Sequence, residues 1–290
     1  MLSYILDQSH WNGRCYYPTA KQAGAIASFI RYGSINAYTG VCYTDFLLED
    51  NVLDAVTYNF PFGAYFYMRP KFNGILQGKF FVDLLKKYPP KLPAVVDVEE
   101  AGDYRNIISM LQTIRDAGFE DMIYTRQNIW DYSFPANDFW KTTKLWAARW
   151  TSADINSPWG DGRYKFRDWD DWKFWQYDAN GNGRAKEFGF PGYPSGDADI
   201  DLSCYNGTLE QFMEEYKIDS GVVVPQGAYI VNVDNLNIRE YPNVSAKILG
   251  QRRTNDIVVP VDYGGDNFWI RDERGWSAVN YGGKVYMRKA

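Results

Sequence analysis

Through the first 130 residues, short apolar runs alternate with segments whose apolar positions recur at helical spacing. Tyr4-Ile5-Leu6 predicts a first strand with Asp7 at its exit, and a turn follows over 8–13. Further strands are predicted over 27–33, 63–67, 93–99 and 122–124, with helices near 19–25, 45–58, 74–87 and 103–117. In the 45–58 helix, Phe46, Leu47, Val52, Leu53 and Val56 are the expected buried stripe. Pro89-Pro90 stops the third helix and Gly118 ends the fourth. Strand then helix, repeated, is the pattern of a parallel sheet with helical crossovers.

The rhythm then changes. Residues 144–148, 172–177 and 198–202 read as strands with little helix between them. The expectation is an α/β fold, an irregular (β/α) TIM-like barrel over 1–217 that closes with a helix at 208–217. A linker follows over 218–225. From 226 to 290 only short strands and turns remain: 229–231, 236–239, 247–249, 257–261, 268–270 and 275–279. They predict a small all-β barrel.

The chemistry concentrates in Pro93-Ala94-Val95-Val96-Asp97-Val98-Glu99-Glu100. Alternation along a strand puts Val95, Asp97 and Glu99 on one face, with neighbours on that face roughly 6.5–7 Å apart. Like charges at such range raise the pKa of one carboxyl, which a general acid working near neutral pH requires. A strand end with solvated charges is the structural alternative. Catalytic groups of such barrels lie at C-terminal strand ends. Asp7, Asp97, Glu99 and Asp201 are all expected there.

Composition narrows the classes. The formal charge of −5 argues against a phosphate-binding nucleic-acid protein. No run of 18 apolar residues exists, so neither a membrane span nor a stable membrane association is expected. The first residues carry no basic leader. One histidine and three dispersed cysteines, Cys15, Cys42 and Cys204, form no metal-ligand spacing, so neither a metal nor an organic cofactor is expected. Asp178 to Gly183 imitates an EF-hand start, but Gly189 stands where the pattern needs Glu. Aromatics make up 18% of the chain, which suits either a heavily aromatic core or a carbohydrate site. The last 65 residues carry 9 Lys and Arg against 7 Asp and Glu, and the rest of the chain is acidic, a mild asymmetry favouring two domains.

Eight segments then resemble a known family in register: Asp7 to Gly13, Phe29 to Gly33, Gly63-Ala64-Tyr65, Pro93 to Glu99, Ile123-Tyr124-Thr125, Leu145 to Trp150, Trp175-Gln176-Tyr177 and Asp199 to Leu202. Together they are similar to glycoside hydrolase family 25, the Chalaropsis-type lysozymes. The resemblance implies an irregular eight-stranded barrel that cleaves the β-1,4 bond from N-acetylmuramic acid to N-acetylglucosamine in bacterial peptidoglycan. It puts the catalytic glutamate on Glu99 and other acidic site positions on Asp97, Asp7 and Asp201, with Asp199 as the other register. Tyr65, Tyr124, Trp146, Gln176 and Asp199 are the implied substrate contacts; barrel core is the alternative for the aromatics, and the favoured one for Tyr67. Phe66 stands where many members carry histidine. The tryptophans from Trp159 to Trp175 form either a longer groove wall or a loop pinned by its indoles.

The tail resembles bacterial SH3-like cell-wall modules through Leu236-Asn237-Ile238-Arg239, Pro242, Gly250, Trp269 and Gly275-Trp276. The implied mechanism is retaining: Glu99 donates to the leaving oxygen, the 2-acetamido group assists, and Asp97 orients its N–H. A carboxylate nucleophile is the alternative. A non-catalytic wall-binding protein and a chitinase-like glycosidase are the rival functions. A monomer is expected, in the manner of a phage endolysin held in the host cytoplasm until a separate pore releases it; a secreted enzyme is the other reading.

Overall fold

The computed structural model describes residues 4–150, 165–179, 184–190, 200–218, 229–254, 256–265 and 267–289. The chain divides into two compact units, Met1–Val56 with Phe60–Ser220, and Thr57–Asn59 with Gly221–Ala290.

In the first unit, eight strands close a ring: β1 (Tyr4–Gln8), β2 (Ala25–Ile35), β4 (Phe62–Met68), β5 (Ala94–Val98), β6 (Asp121–Arg126), β7 (Lys144–Ala148), β8 (Phe174–Asp178) and β9 (Asp201–Tyr205). The strand β3 (Cys42–Thr44) hangs on β2 outside the ring. From β1 through β8 the ring strands pair in parallel, and β9 runs antiparallel to both β8 and β1. Inward residues fill the interior: Ile5, Phe29, Tyr65, Val95, Met122, Trp146 and Phe174 pack in one cluster. The Phe29 ring lies 4.5 Å from that of Trp146 and edge-on to Phe174 at 5.2 Å. Gly63 makes room for it: a Cβ there would lie 2.2 Å from the Phe29 ring.

The helices cover the outside. They are α1 (Tyr17–Gln22), α2 (Leu48–Thr57), α3 (Gly74–Lys87), α4 (Tyr104–Asp116), α5 (Gln127–Ser133) and α6 (Leu209–Glu215). Asn73 caps α3 by accepting from the Leu76 N–H, and Asp103 caps α4 by accepting from Arg105. Thr208 and Gln211 form a reciprocal capping box on α6. Phe66 points out of the barrel, fully buried against Phe80 and Phe81 of α3, and so stands away from the barrel mouth.

Four expectations need correction. The stripe of α2 is Leu48, Asn51, Val52 and Ala55, whereas Phe46, Leu53 and Val56 are 65%, 58% and 61% exposed. The helix begins only after the Asp45 side chain has accepted from the Leu47 N–H, which rotates the expected face outward. Helix α1 starts and stops earlier than expected, because Gly24, at φ 92°, turns the chain straight into β2. The stretch after β6 holds α5 and a 3-10 helix, Asp138–Thr142, anchored by buried Trp130 and Trp140 instead of a periodic stripe. Lastly, β9 begins at Asp201, so this aspartate opens its strand. Because β9 is reversed, that opening end lies at the C-terminal ends of its antiparallel neighbours, β8 and β1.

Trp169, Trp172 and Trp175 are buried. The Trp169 indole N–H donates to the Thr143 carbonyl at 2.8 Å and that of Trp130 to Asp168 at 2.9 Å. Of the two readings for these tryptophans, the pinned loop describes Trp169 and Trp172, while Trp175 lies on β8; Trp159 lies outside the described residues, as do Asp199 and most of the EF-hand imitation. Cys15, Cys42 and Cys204 are free thiols. No helix among the described residues is long and apolar enough to cross a membrane.

The second unit is all-β. A five-stranded antiparallel sheet orders Ile248–Arg252, Leu236–Arg239, Gly275–Ala278, Trp269–Asp272 and Asp262–Gly264. A three-stranded sheet orders Ile257–Val258, Tyr229–Val231 and Met287–Lys289, and a hairpin pairs Asn280–Tyr281 with Lys284–Val285. Val231, Leu236, Val258, Ile270, Val279 and Met287 share its core. The strand expected over 257–261 stops at Val258, before Pro260, which cannot donate to a ladder. The glycine- and charge-rich strands near 262, 281, 284 and 288 carry too little apolar alternation to be read in advance.

Candidate active site

Strand β5 delivers Asp97 as its fourth residue and releases Glu99 just past its end. Register then brings neighbours alongside: Asp97 pairs with Tyr67 of β4 and Tyr124 of β6, while Asp7 of β1 pairs with Asp201 of β9. These residues line a cavity of about 280 Å³ at the barrel mouth, together with Tyr65, Arg31, Ser9, Trp11 and Asn12.

Asp97 is 5% exposed, and its Oδ1 has no hydrogen-bond partner among the described residues. Burial pushes its carboxyl well above the usual range, and the charges of Glu99 and Asp7 add to that. The Glu99 carboxyl is also raised by burial, against the opposing pull of the Arg126 guanidinium. Arg126 Nη2 lies 3.7 Å from Glu99 Oε2. Burial raises Asp7 to about 7, with Glu99 adding to the rise and the Tyr65 hydroxyl and Arg31 opposing it. The cluster therefore keeps protons where isolated carboxyls have lost theirs. Glu99, with 28% of its side chain exposed, is open to an incoming ligand.

Gln176 sits fully buried behind this cluster. Its Nε2 donates to Asp7 Oδ2 at 3.0 Å and Asp201 Oδ2 at 3.2 Å. Its Oε1 accepts from the Tyr124 hydroxyl at 2.7 Å and the Trp150 indole at 2.8 Å. On the other flank, buried Asp45 accepts from Arg31 Nε at 2.8 Å and lies 2.7 Å from His10 Nδ1. The His10 ring packs 4.3 Å from Trp11, which stands 64% exposed beside the carboxylates.

The structure thus gathers Asp7, Asp97, Glu99, Asp201, Tyr65 and Tyr124 into one cleft. Gln176 stands behind its wall. Trp146 is corrected: it is 1% exposed, stacked in the barrel interior, and its indole donates to Ser203 Oγ at 3.0 Å. Its inward position on β7 lies one layer below the mouth. Tyr67, expected in the core, is half-buried on the cleft, and its hydroxyl donates to Glu100. Ser9, Trp11, Asn12, Arg31 and Arg126 were not anticipated. The first three belong to the turn after β1, where the barrel rule already places function. Arg31 follows Phe29 on the inward face of β2, and a cation in that register is itself a signal. Among the described residues, no group of three or more His, Cys, Asp or Glu could hold a metal.

The sequence model of glycosyl hydrolases family 25 matches residues 6–185. Lysozyme M1 of Streptomyces globisporus is 24% identical over 226 residues, 72% of this chain and 69% of that protein. The bacterial lysozyme of Streptomyces coelicolor shares the fold with a TM-score of 0.57 at 21% identity, over 73% of this chain and 95% of its own. The Clostridium perfringens spore cortex lytic enzyme SleM matches with a TM-score of 0.56 at 15% identity, over 100% of this chain and 98% of its own. With a match over more than half its length and a carboxylate cluster at the mouth of a barrel of this fold, the chain belongs to glycosyl hydrolases family 25.

Proposed function

We propose that this glycoside hydrolase is a lysozyme, cleaving the β-1,4 bond between N-acetylmuramic acid and N-acetylglucosamine in peptidoglycan. The observation that carries the reading is the pairing of Asp97, buried with an unpartnered Oδ1, and Glu99, open to the cleft with its carboxyl raised. A substrate 2-acetamido N–H gives Asp97 Oδ1 the donor it lacks. Its carbonyl oxygen then attacks the anomeric carbon as Glu99 protonates the departing glycosidic oxygen. The bond to the leaving sugar breaks, an oxazolinium-type intermediate forms, and Asp97 balances its charge. Glu99, now ionised, takes a proton from water, which opens the intermediate with overall retention. Asp7 and Asp201, fixed by Gln176, hold sugar hydroxyls. Trp11 and Tyr67 offer ring faces to the apolar sides of the glycan.

The second unit is read as an SH3-like cell-wall-binding module. A groove of about 230 Å³, lined in part by Trp269, Tyr281, Tyr286 and Arg239, supports that reading. The test of the catalytic proposal is product analysis on purified peptidoglycan. A new reducing end on muramic acid is expected; one on glucosamine, or none, contradicts it.

A further inference from the structure

Beside Glu99 lies a cation that the mechanism above leaves unused. Among the described residues, three arginines lie near the carboxylates, and two are committed elsewhere. Arg31 pairs with Asp45 at 2.8 Å, and Arg69 pairs with Glu100 and donates to the Ile35 carbonyl. Arg126, the last residue of β6, has Glu99 as its ion-pair partner at 3.7 Å. That separation places the positive charge against Glu99 Oε2 without the short bidentate bond that would occupy the carboxyl. The guanidinium lies over the Trp150 ring, 5.1 Å from its centroid, and the Trp150 indole is fixed by its bond to Gln176. One glutamine thus anchors both Asp7 with Asp201 and the platform under Arg126.

We propose that Arg126, braced by Trp150, is a positioning residue that orients Glu99 and sets the pH at which it gives up its proton. The inference rests on the assignment of Glu99 as proton donor. Among the described residues, Arg31 shares the cavity with Glu99 but is held by Asp45, and the other titratable groups around Glu99 are carboxyls and phenols. Asp7 faces it from β1 and Asp97 from β5; Tyr67 and Tyr124 face it from β4 and β6. Burial favours the protonated form; Arg126 favours the ionised form that Glu99 must adopt after giving up its proton. Without the cation, Glu99 becomes a weaker acid that stays protonated to higher pH.

The test uses the full chain with Arg126→Met, Arg126→Lys and Trp150→Ala. It reads the pH dependence of kcat/KM on soluble glycan fragments and the carbon-13 NMR titration of the Glu99 carboxyl. Arg126→Met should move the alkaline limb and the main Glu99 step upward together by about one pH unit. Arg126→Lys keeps the charge and should restore most of that shift. Trp150→Ala should shift both the same way by less. A Glu99 titration unmoved in folded Arg126→Met, or an Arg126→Lys shift as large as that of Met, would overturn the proposal. Should Arg126→Met not fold, an unmoved titration in Trp150→Ala would do the same. The NMR titration needs no turnover, so it judges Arg126 even if product analysis rejects the lysozyme reading.

Discussion

Asp7 and Asp201 face each other across the antiparallel pair of β1 and β9, and a single amide, Gln176 Nε2, donates to both. Nothing about their separation in sequence announces this. The reversed last strand brings the start of β9 beside the end of β1, and one buried glutamine on β8 spaces the two carboxylates. The side-chain bonds of Gln176 go to Asp7, Asp201, Tyr124 and Trp150, on or behind the cleft wall.

Gln176→Leu should therefore strip partners from Asp7, Asp201, Tyr124 and Trp150 at once. Leaving buried polar groups unsatisfied costs about 1–3 kcal/mol. A lower melting temperature together with reduced kcat is expected. Wild-type activity in this variant would show that the carboxylates need no such anchor.

Asp7→Asn tests the electrostatic cost of the cleft. Burial raises the Asp7 carboxyl from 3.8 to about 7, so between those values the folded chain holds a proton that the unfolded chain releases. Stability present below the lower value is lost as pH rises through the upper one. The variant should be more stable than wild type by about 1–3 kcal/mol near pH 8, because Asp7 is partly open to solvent, and the gain should vanish toward about pH 4. A gain independent of pH, measured by thermal melts across this window, would contradict the assignment.

Trp11→Ala removes an exposed ring that His10 braces from behind. The expected result is a KM raised about tenfold on glycan fragments, or about 1.4 kcal/mol, with kcat little changed. An unchanged KM would place the ring outside the occupied part of the groove.

A chain ending near Lys217 should still cleave soluble fragments, because the proposed catalytic groups precede Leu202. It should bind intact cell walls less well than the full chain. Loss of activity on soluble fragments in a folded truncated protein would mean that residues beyond Lys217 help build the site.

The parallel strands of the barrel were legible because they are continuous β-branched or aromatic runs, and the end of α3 was legible because the two prolines stop it. The acidic pair was legible for the same reason: Asp97 and Glu99 interrupt an apolar run at its end. What escaped depends on distant contacts. The face of α2 is set by Asp45, whose partners Arg31 and His10 lie far back in the chain. Tyr67 and Trp146 are both aromatic and inward-facing, and only their depth in the barrel separates cleft from core. Arg126 gains meaning from Trp150 and Gln176, which lie on other strands or loops. Local alternation carries none of that information.

The central claim is that Glu99 donates and then recovers the proton, and Glu99→Gln tests it most directly by keeping the shape of the side chain and removing its acidity. With circular dichroism showing a native fold, the rate of peptidoglycan cleavage should fall by on the order of 10²–10⁴-fold or more. A folded Glu99→Gln protein that cleaves peptidoglycan at near the wild-type rate would contradict the account.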